Sequence, residues 1–220
     1  MNVLFTNSGR RTYILDYATR ISGINIHVTE SDEYTPIALY KGVKKHFTVK
    51  VNKDHKKYLL QVLKIVIKEK IQKLIPLSDH DLLILSKNKN LFLKEGCEII
   101  ISSFENVKRC LNKRLMHEHC IKHKINTPQS FFSSKDISKI NKNLIKKKIT
   151  GSGGDQMEFL KDYNDTKKID FSIFFVQKKI LGTEYGIDIF SIEDKNFYRV
   201  CIKKKILMRA GETDRSIITI

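Results

Sequence analysis

Short apolar runs alternate with amphipathic segments over the first hundred residues, and this alternation constrains the fold more than any other feature of the sequence. Five runs have the length and composition of buried strands, at residues 3–6, 24–28, 46–51, 73–77 and 97–101. Three intervening segments repeat apolar residues at helical spacing, at 14–21, 58–67 and 81–94. Strands that alternate with helices form a parallel sheet covered by helices on both faces. The sequence therefore predicts a doubly wound α/β fold.

The pattern changes near residue 102. A capping-box sequence, Ser102 to Glu105, opens one helix, and a second helix is predicted at 113–124. Strand-like segments then follow without long helices between them, at 143–149, 171–177, 185–190 and 197–208. The last two flank a turn and predict a hairpin. We therefore predict an α/β domain at 1–102 and an α+β domain, rich in antiparallel strands, at 103–220.

The formal net charge of +17 requires an explanation. A charge of that size attracts anions, including nucleic acids. The cations, however, are 33 lysines and only eight arginines, whereas proteins that read nucleic acids rely on the planar fork of arginine. We therefore interpret most of the charge as a solvated surface, and a nucleic-acid-associated domain is the least favoured alternative. Nucleotides and other small anions are compatible with this charge.

Neither a membrane segment nor a disulfide framework is predicted. The longest apolar run, at 82–85, is far too short to cross a bilayer, and residues 1–5 lack the pattern of a signal peptide. The four cysteines include no C-x-x-C pair. We therefore expect a reduced, cytoplasmic protein that contacts no membrane.

A glycine-rich loop, Gly151-Ser152-Gly153-Gly154, follows the predicted strand at 143–149. Glycines let the backbone approach a ligand, and consecutive N–H groups form an anion-binding nest. No Gly-Lys-Ser/Thr follows, so the loop is not a P-loop. Lys147 lies four residues before the loop, where its ammonium group can lie along bound phosphates. The loop is therefore a candidate phosphate site; the alternative is an ordinary turn.

A second candidate lies at 177–185, where one strand ends, the chain bends and another strand begins. The backbone edges of such a bend suit adenine, which needs one donor and one acceptor. Glu184 lies just beyond, and its carboxylate can accept hydrogen bonds from both ribose hydroxyls. The alternative is a hairpin corner with an acid that faces solvent.

In their order along the chain, these segments resemble the ATP-grasp superfamily, most closely its carbamoyl-phosphate-synthase-like carboxylate–amine ligases. The matching stretches are NVLFTNSGRR at 2–11, IPLSD at 75–79, LLILSKN at 82–88, LIKKKITGSGG at 144–154, FVQKKILGTEYGID at 175–188 and MRAGETD at 208–214. The resemblance implies a Rossmann-like, pre-ATP-grasp domain at 1–102 and the N-terminal part of an ATP-grasp domain at 103–220. It also implies a reaction, in which ATP phosphorylates a carboxylate and an amine displaces phosphate from the acyl phosphate.

The resemblance further implies a role for each matching position. ATP would contact two lysines, Lys113 and Lys147, the phosphate loop Gly151, Ser152, Gly153 and Gly154, the adenine contacts Gln177, Lys179 and Ile180, and the ribose contact Glu184. Arg209 would reach the phosphates or the acid and serve catalysis. A small carboxylate substrate would contact the strand ends of the first domain, at Ser8, Gly9, Arg10, Arg11 and Asp79.

The chain departs from the family pattern at several positions. Lys178 stands where relatives carry an acid, and Lys147-Lys148-Ile149 stands where they carry Lys-Pro-Arg. Relatives continue into strands that hold magnesium through an acidic residue and a Glu-x-Asn pair, and Glu212 and Asp214 do not match that pattern. We therefore expect a C-terminally truncated domain that is inactive alone and holds magnesium only when the missing segment is supplied.

Two interpretations stay open beside the nucleic-acid alternative. One is the ATP-binding portion of a ligase, completed by a longer chain or by a second polypeptide. The other is a non-catalytic nucleotide-binding or scaffold protein. Residues 117–123 contain three histidines, a glutamate and a cysteine, but no second cluster accompanies them, so we predict a helix there and no metal site. An unpaired sheet edge would also permit homo-oligomers.

Overall fold

The computed structural model describes residues 1–51, 54–137, 143–151, 156–192, 196–209 and 212–219. The chain divides into two compact units, Met1–Arg109 and Cys110–Ile220. Within the described residues, the first unit contains one sheet and the second contains two. No helix in the described part of the chain combines the length and the apolar character that crossing a membrane requires.

The first unit is built on a five-stranded parallel sheet, as the sequence predicts. Its strands are β1 Asn2–Thr6, β2 Asn25–Glu30, β3 Val43–Thr48, β4 Lys73–Pro76 and β5 Glu98–Ile99. Its helices are α1 Thr12–Ala18, α2 His55–Lys68, α3 Asp79–Lys87, α4 Lys89–Lys94 and α5 Phe104–Leu111, the last of which ends beyond the unit boundary. The strand order is β3-β2-β1-β4-β5, so the chain reverses direction across the sheet at β1. Open α/β sheets place ligands at this reversal, beside the carboxyl ends of the strands.

The core of this unit lies on both faces of the sheet. Val3 and Phe5 pack into one buried cluster, whereas Leu4 between them packs into the other. Successive side chains of a strand point to opposite faces, so a strand buried on both faces is apolar throughout. The continuous apolar run of β1 is therefore explained by its central place in the sheet.

Three local predictions for the first unit are wrong. The helix predicted at 81–94 is two helices, because Asn88 ends α3 and begins α4, and its Nδ2 donates to the Ile84 carbonyl (2.7 Å). The third strand begins and ends three residues earlier than predicted. Helix α5 begins at Phe104, and Ser103 rather than Ser102 accepts from a first-turn amide, that of Asn106 (3.4 Å).

The second unit contains two antiparallel sheets. A four-stranded sheet has the order β6-β9-β7-β8, with β6 Ser130–Phe131, β7 Leu144–Lys148, β8 Glu158–Leu160 and β9 Phe174–Lys178. A three-stranded sheet follows, with β10 Tyr185–Ile192, β11 Phe197–Arg209 and β12 Glu212–Thr219. The helices are α6 Lys113–Lys122 and the one-turn α7 Tyr163–Thr166, with a 3-10 turn at Ser134–Asp136. The hairpin of β10 and β11 is confirmed, whereas β6, β8 and β12 were not predicted.

One face of the three-stranded sheet is apolar and exposed. The cross-strand pairs Ile187–Ile202 and Ile189–Val200 lie on it, together with Ile217 opposite Lys204. Their side chains are 42–67% exposed, which is unusual for five large aliphatic residues on one face. We call this surface, defined by Ile187, Ile189, Val200, Ile202 and Ile217, the open face.

We expect the chain to self-associate through the open face. Replacing Ile189 and Ile202 together with lysine should return the chain to a monomer, because two ammonium groups resist transfer out of water. Light scattering coupled to size-exclusion chromatography measures the change. The control Asn164→Lys/Thr183→Lys adds the same charge at exposed positions away from that face. A monomeric wild-type chain, or an equal response of the control, would contradict the expectation.

Candidate functional site

Lys147 on β7 is held by a chain of hydrogen bonds that crosses three strands. Its Nζ donates to Gln177 Oε1 on β9 (2.8 Å), and Gln177 Nε2 donates to Ser130 Oγ on β6 (3.0 Å). The side chain is half-buried, and the loss of water lowers the pKa of Lys147, while the negative charge of Glu184 opposes that shift. An ammonium group in this position is partly desolvated and can bind an anion.

The neighbouring lysines of the run have different surroundings. The period of the strand places Lys146 and Lys148 on the opposite face of β7. Lys146 forms an ion pair with Glu158 on β8 and lies over the ring of Phe174 at 5.1 Å. Lys147 is therefore distinguished from Lys146 by its face and by a neutral rather than an anionic partner.

Lys113 lies beside the end of β7. Asn112 caps α6 by accepting from the amides of Arg114 and Leu115 (3.0 and 3.1 Å), and its backbone pairs with Thr150. This fixes Lys113 so that its N–H donates to the Ile149 carbonyl (2.9 Å) and its Nζ donates to the Gly151 carbonyl (2.7 Å).

The structure thus brings Lys113 to the start of the glycine-rich loop. Gly151 has a φ of +122°, a conformation that favours glycine. The other members of the predicted phosphate loop, Ser152, Gly153 and Gly154, lie outside the described residues.

The predicted adenine bend follows β9. The Lys179 N–H donates to the Asn143 carbonyl (2.7 Å), and its Nζ lies 4.6 Å from the centre of the Phe159 ring. Ile180 is 66% exposed, and Gly182 has a φ of +141°, which lets the chain turn sharply toward β10. The bend is thus tied to the sheet at Lys179 and open at Ile180.

Glu184 precedes β10 and is paired with β11. Its carboxylate Oε1 accepts from Lys205 Nζ (2.5 Å), and its carbonyl accepts from the Lys205 N–H (2.9 Å). Glu184 is exposed, and its negative charge acts to raise the pKa of Lys147. Arg209 is the last residue of β11, where its backbone pairs with Glu212, and its side chain lies outside the described part of the structure.

Ser130 and an aromatic stack were missed by the sequence prediction. Phe132 stacks on Phe175 of β9 with 5.2 Å between ring centres, and the Arg114 guanidinium lies 4.9 Å from the Phe132 ring centre. The pairing of β6 with β9 brings Ser130 to Gln177, and no local pattern in the sequence indicates this pairing.

In the first unit, the buried carboxylate of Glu30 is bonded to the loop that follows β1. Glu30, at the end of β2, accepts from the N–H groups of Ser8 (2.6 Å) and Gly9 (3.0 Å). Burial raises the pKa of Glu30, and these two N–H groups oppose the shift. The backbone donors that would otherwise suit an external anion therefore hold an internal carboxylate.

The other predicted substrate contacts lie around the same strand ends. Arg11 Nη1 donates to the Leu77 carbonyl (3.2 Å) beyond β4, and this links the loop after β1 to the loop after β4. Arg10 is exposed, and so is Asp79, the first residue of α3. Among the described residues, no side-chain hydrogen bond or ion pair joins Arg10 or Asp79 to Ser8 or Gly9.

Asp81, two residues after Asp79, is a fully buried acid that the sequence analysis did not single out. Its Oδ2 accepts from Thr6 Oγ1 (2.7 Å), Asn7 Nδ2 (2.8 Å) and the Tyr58 hydroxyl (2.8 Å). Burial raises the pKa of Asp81 and outweighs these three donors. Asp81 thus ties β1, α2 and α3 together at the reversal point of the sheet.

The described residues contain no group of three or more histidine, cysteine, aspartate or glutamate side chains placed to hold a metal ion. The rings of His119, on α6, and His123, which caps the C-terminal end of α6, lie 4.3 Å apart.

Two family models match the chain. The model described as PylC-like, N-terminal domain, matches residues 3–100, and the model described as ATP-grasp domain matches residues 110–216. No curated protein matches the sequence.

Solved structures of similar fold include three enzymes. An L-amino acid ligase from Bacillus licheniformis has a TM-score of 0.72 at 16% identity, over 93% of this chain and 50% of that chain. The N5-carboxyaminoimidazole ribonucleotide synthetase from Thermotoga maritima has 0.68 at 13%, over 92% and 53%. The biotin carboxylase domain of the Hydrogenobacter thermophilus 2-oxoglutarate carboxylase, solved with MgADP, ADP and bicarbonate, has 0.72 at 12%, over 96% and 51%. At these identities the likeness establishes the fold. The chain spans about half the length of these solved chains.

Proposed function

Because this chain belongs to the ATP-grasp superfamily, we propose that it is the ATP-binding portion of a ligase that activates a carboxylate for attack by an amine. In this proposal ATP supplies the phosphoryl group, and the residues of the second unit bind and orient the nucleotide. The single observation that carries it is the half-buried Lys147, whose ammonium group is held by Gln177 and which lies on β7, the strand that precedes Gly151. Bound ADP in the Hydrogenobacter relative is compatible with this assignment.

We assign the phosphates to Lys147, Lys113 and the loop that begins at Gly151. Lys113 Nζ already contacts the Gly151 carbonyl, so a phosphate held by this loop would meet a cation at its start. A partly desolvated ammonium group binds phosphate more strongly than a solvated one, because less water must be removed. Ser152, Gly153 and Gly154 complete the proposed loop, and Arg209 stays a proposed contact of the phosphates or the acid.

The base and the sugar are assigned to the bend after β9. The Lys179 N–H is bonded to Asn143, so the carbonyl of Lys179 and the N–H of Ile180 are the groups that we assign to adenine. The side chain of Gln177 is bonded at both ends, and we therefore assign it to positioning Lys147 rather than to the base. Glu184 would accept hydrogen bonds from the ribose hydroxyls.

The first unit would contribute the substrate contacts. The proposed contacts of a small carboxylate stay Ser8, Gly9, Arg10, Arg11 and Asp79. The division into two domains at residue 102 also stays a prediction. Since Glu30 occupies the N–H groups of Ser8 and Gly9, the cationic side chains Arg10 and Arg11 are the groups with charge suited to a carboxylate. We assign no magnesium ligand, because the described residues supply no convergent set of acids.

The open face supports a further part of the proposal. A surface of five exposed aliphatic side chains on one sheet face is suited to burial against more polypeptide, either in a longer chain or in a second one. The alternative function, a non-catalytic nucleotide-binding or scaffold protein, needs no such addition. ADP release would be measured with a carboxylate and an amine, in the presence and absence of added polypeptide. Release that requires the added polypeptide supports the ligase, and no release under either condition supports the non-catalytic alternative.

ATP and inorganic tripolyphosphate together test the site. By titration calorimetry, both should bind the wild-type chain, because both carry the phosphates that Lys147 and the loop recognise. Glu184→Ala should weaken ATP by about two- to tenfold, the value of one net hydrogen bond, and leave tripolyphosphate unchanged.

The matched control is Asp188→Ala. Asp188 lies on β10, has an exposure similar to that of Glu184 and is also paired with a lysine of β11, Lys203. It should leave the affinity for both ligands unchanged. No heat with either ligand, or equal losses of ATP and tripolyphosphate affinity in Glu184→Ala, would contradict the proposed arrangement.

A further inference from the structure

A groove on the surface of the first unit lies among three helices and has a volume of about 480 Å³. Helix α2 contributes its first turns, α3 its second half and α5 its first turns. The lining residues are His55, Lys56, Leu59, Leu83, Ile84, Lys87, Asn88, Phe104 and Lys108. Its volume lies within the range of small-molecule sites, about 300–1,000 Å³.

The groove has an apolar floor and a cationic rim. Leu59, Leu83, Ile84 and Phe104 form the floor, and Leu83 is 39% exposed although it lies among other apolar side chains. The lysines of three different helices form the rim, and no acid lines the groove. Apolar surface that stays open to water beside charged groups of one sign is typical of a binding site for an amphipathic ligand.

The rim lysines differ from other lysines of the same unit. Lys45 is paired with Glu69, and Lys73 is paired with Glu98. Within the described ranges, the structure gives no carboxylate partner to the three rim lysines, Lys56, Lys87 and Lys108. Three ammonium groups that share a groove without an acid create a positive potential over its floor.

A neighbouring groove shows that these features are not general. It has a volume of about 380 Å³ and lies along α2, lined by Asp54, Lys56, Lys57, Leu60, Gln61 and Lys64. It contains Asp54 among its lysines and only one aliphatic side chain in its lining, Leu60. It therefore lacks both the acid-free cationic rim and the apolar floor that an amphipathic anion requires. The groove of α2, α3 and α5 combines both properties.

We propose that this groove binds a small amphipathic carboxylate, with the apolar body on Leu59, Leu83, Ile84 and Phe104 and the carboxylate at the lysine rim. Its residues all belong to the first unit and include none of those assigned to ATP. The proposal therefore goes beyond the proposed function and does not rest on it.

Octanoate, 1-octanol and octylammonium are the probes, because they share an apolar chain and differ in the charge of the head group. We expect saturable binding of octanoate with shifts of the backbone resonances of α2, α3 and α5 in an NMR titration. Octanol should bind at least tenfold more weakly, and octylammonium more weakly still. Equal affinities for octanoate and octanol, or the absence of saturable octanoate binding, would overturn the proposal.

Two variants separate the rim from the floor. Lys56→Gln/Lys87→Gln/Lys108→Gln should weaken octanoate binding at least tenfold and leave octanol unchanged, whereas Leu83→Gln should weaken both. The charge-matched control Lys57→Gln/Lys64→Gln/Lys68→Gln removes three lysines of α2 that do not line this groove. An equal loss in the control would show a general charge effect and overturn the site. Saturating ATP should not displace octanoate.

Discussion

Replacing Asp81 with alanine should lower the free energy of unfolding by about 3 kcal/mol, one of the two largest effects expected for this protein. The carboxylate is fully buried and accepts from Thr6 and Asn7 at the end of β1 and from Tyr58 on α2. Removing the acceptor takes the partner from the fully buried hydroxyls of Thr6 and Tyr58, and each unsatisfied buried group is costly. Urea denaturation followed by circular dichroism measures the loss.

Asp79→Ala is the matched control. Asp79 lies two residues earlier on the same helix but is exposed, so its replacement should change stability by no more than about 0.5 kcal/mol. Asp81→Asn should be less harmful than Asp81→Ala, because the amide oxygen keeps an acceptor for the three donors. Equal stabilities of Asp81→Ala and Asp79→Ala would contradict the importance of the buried carboxylate.

The contribution of Asp81 to the free energy of unfolding depends on pH. Burial raises the pKa of Asp81, so the folded state holds this proton more tightly than the unfolded state. The resulting stability is fully present below the unfolded pKa, about 4, and is lost as the pH rises through the folded pKa. The stability advantage of wild type over Asp81→Asn should therefore shrink as the pH rises. An advantage that grows with pH would contradict the raised pKa of Asp81. Glu30 shifts in the same direction and remains in both proteins.

Much of the first unit can be predicted from the sequence because its central strands β1 and β2 are buried on both faces. A fully buried strand reads as a short apolar run, and the helices between the runs repeat with their own period. The break between α3 and α4 could not be predicted in this way, because Asn88 acts through one hydrogen bond to Ile84 and leaves the apolar pattern intact. The buried acids Glu30 and Asp81 could not be predicted either, since their partners are far away in the sequence.

The second unit is less predictable because its strands are short or exposed. Strand β8 has three residues, and in β12 the charged and aliphatic side chains of residues 213–218 are exposed. Lys147 could be singled out, because the strand period separates it from Lys146 and the glycines follow it. Its bond to Gln177, and that of Gln177 to Ser130, depend on the order of β6, β9 and β7, which the sequence alone does not specify.

Lys147→Ala should weaken the binding of both ATP and tripolyphosphate at least tenfold. A hydrogen bond to a charged group contributes about 1.5–3 kcal/mol, and a tenfold change in affinity corresponds to about 1.4 kcal/mol. Because the proposed contact is to phosphate, the loss should be similar for the two ligands, unlike that of Glu184→Ala. Lys146→Ala is the control, since it removes the adjacent lysine on the opposite face, where Glu158 pairs with it. Titration calorimetry that finds equal losses for Lys146 and Lys147 would reject the proposed pocket.

The pH dependence of binding tests the same contact independently. Burial lowers the pKa of Lys147 below its ordinary value, and only the protonated amine carries the charge that phosphate requires. ATP affinity should therefore decline as the pH rises through this lowered pKa, before an exposed lysine would lose its proton. Lys147→Arg keeps its charge over the same range, so its affinity should not show this decline. If both proteins lose affinity in parallel as the pH rises, the titrating group is not Lys147, and the proposed contact of Lys147 with phosphate would be contradicted.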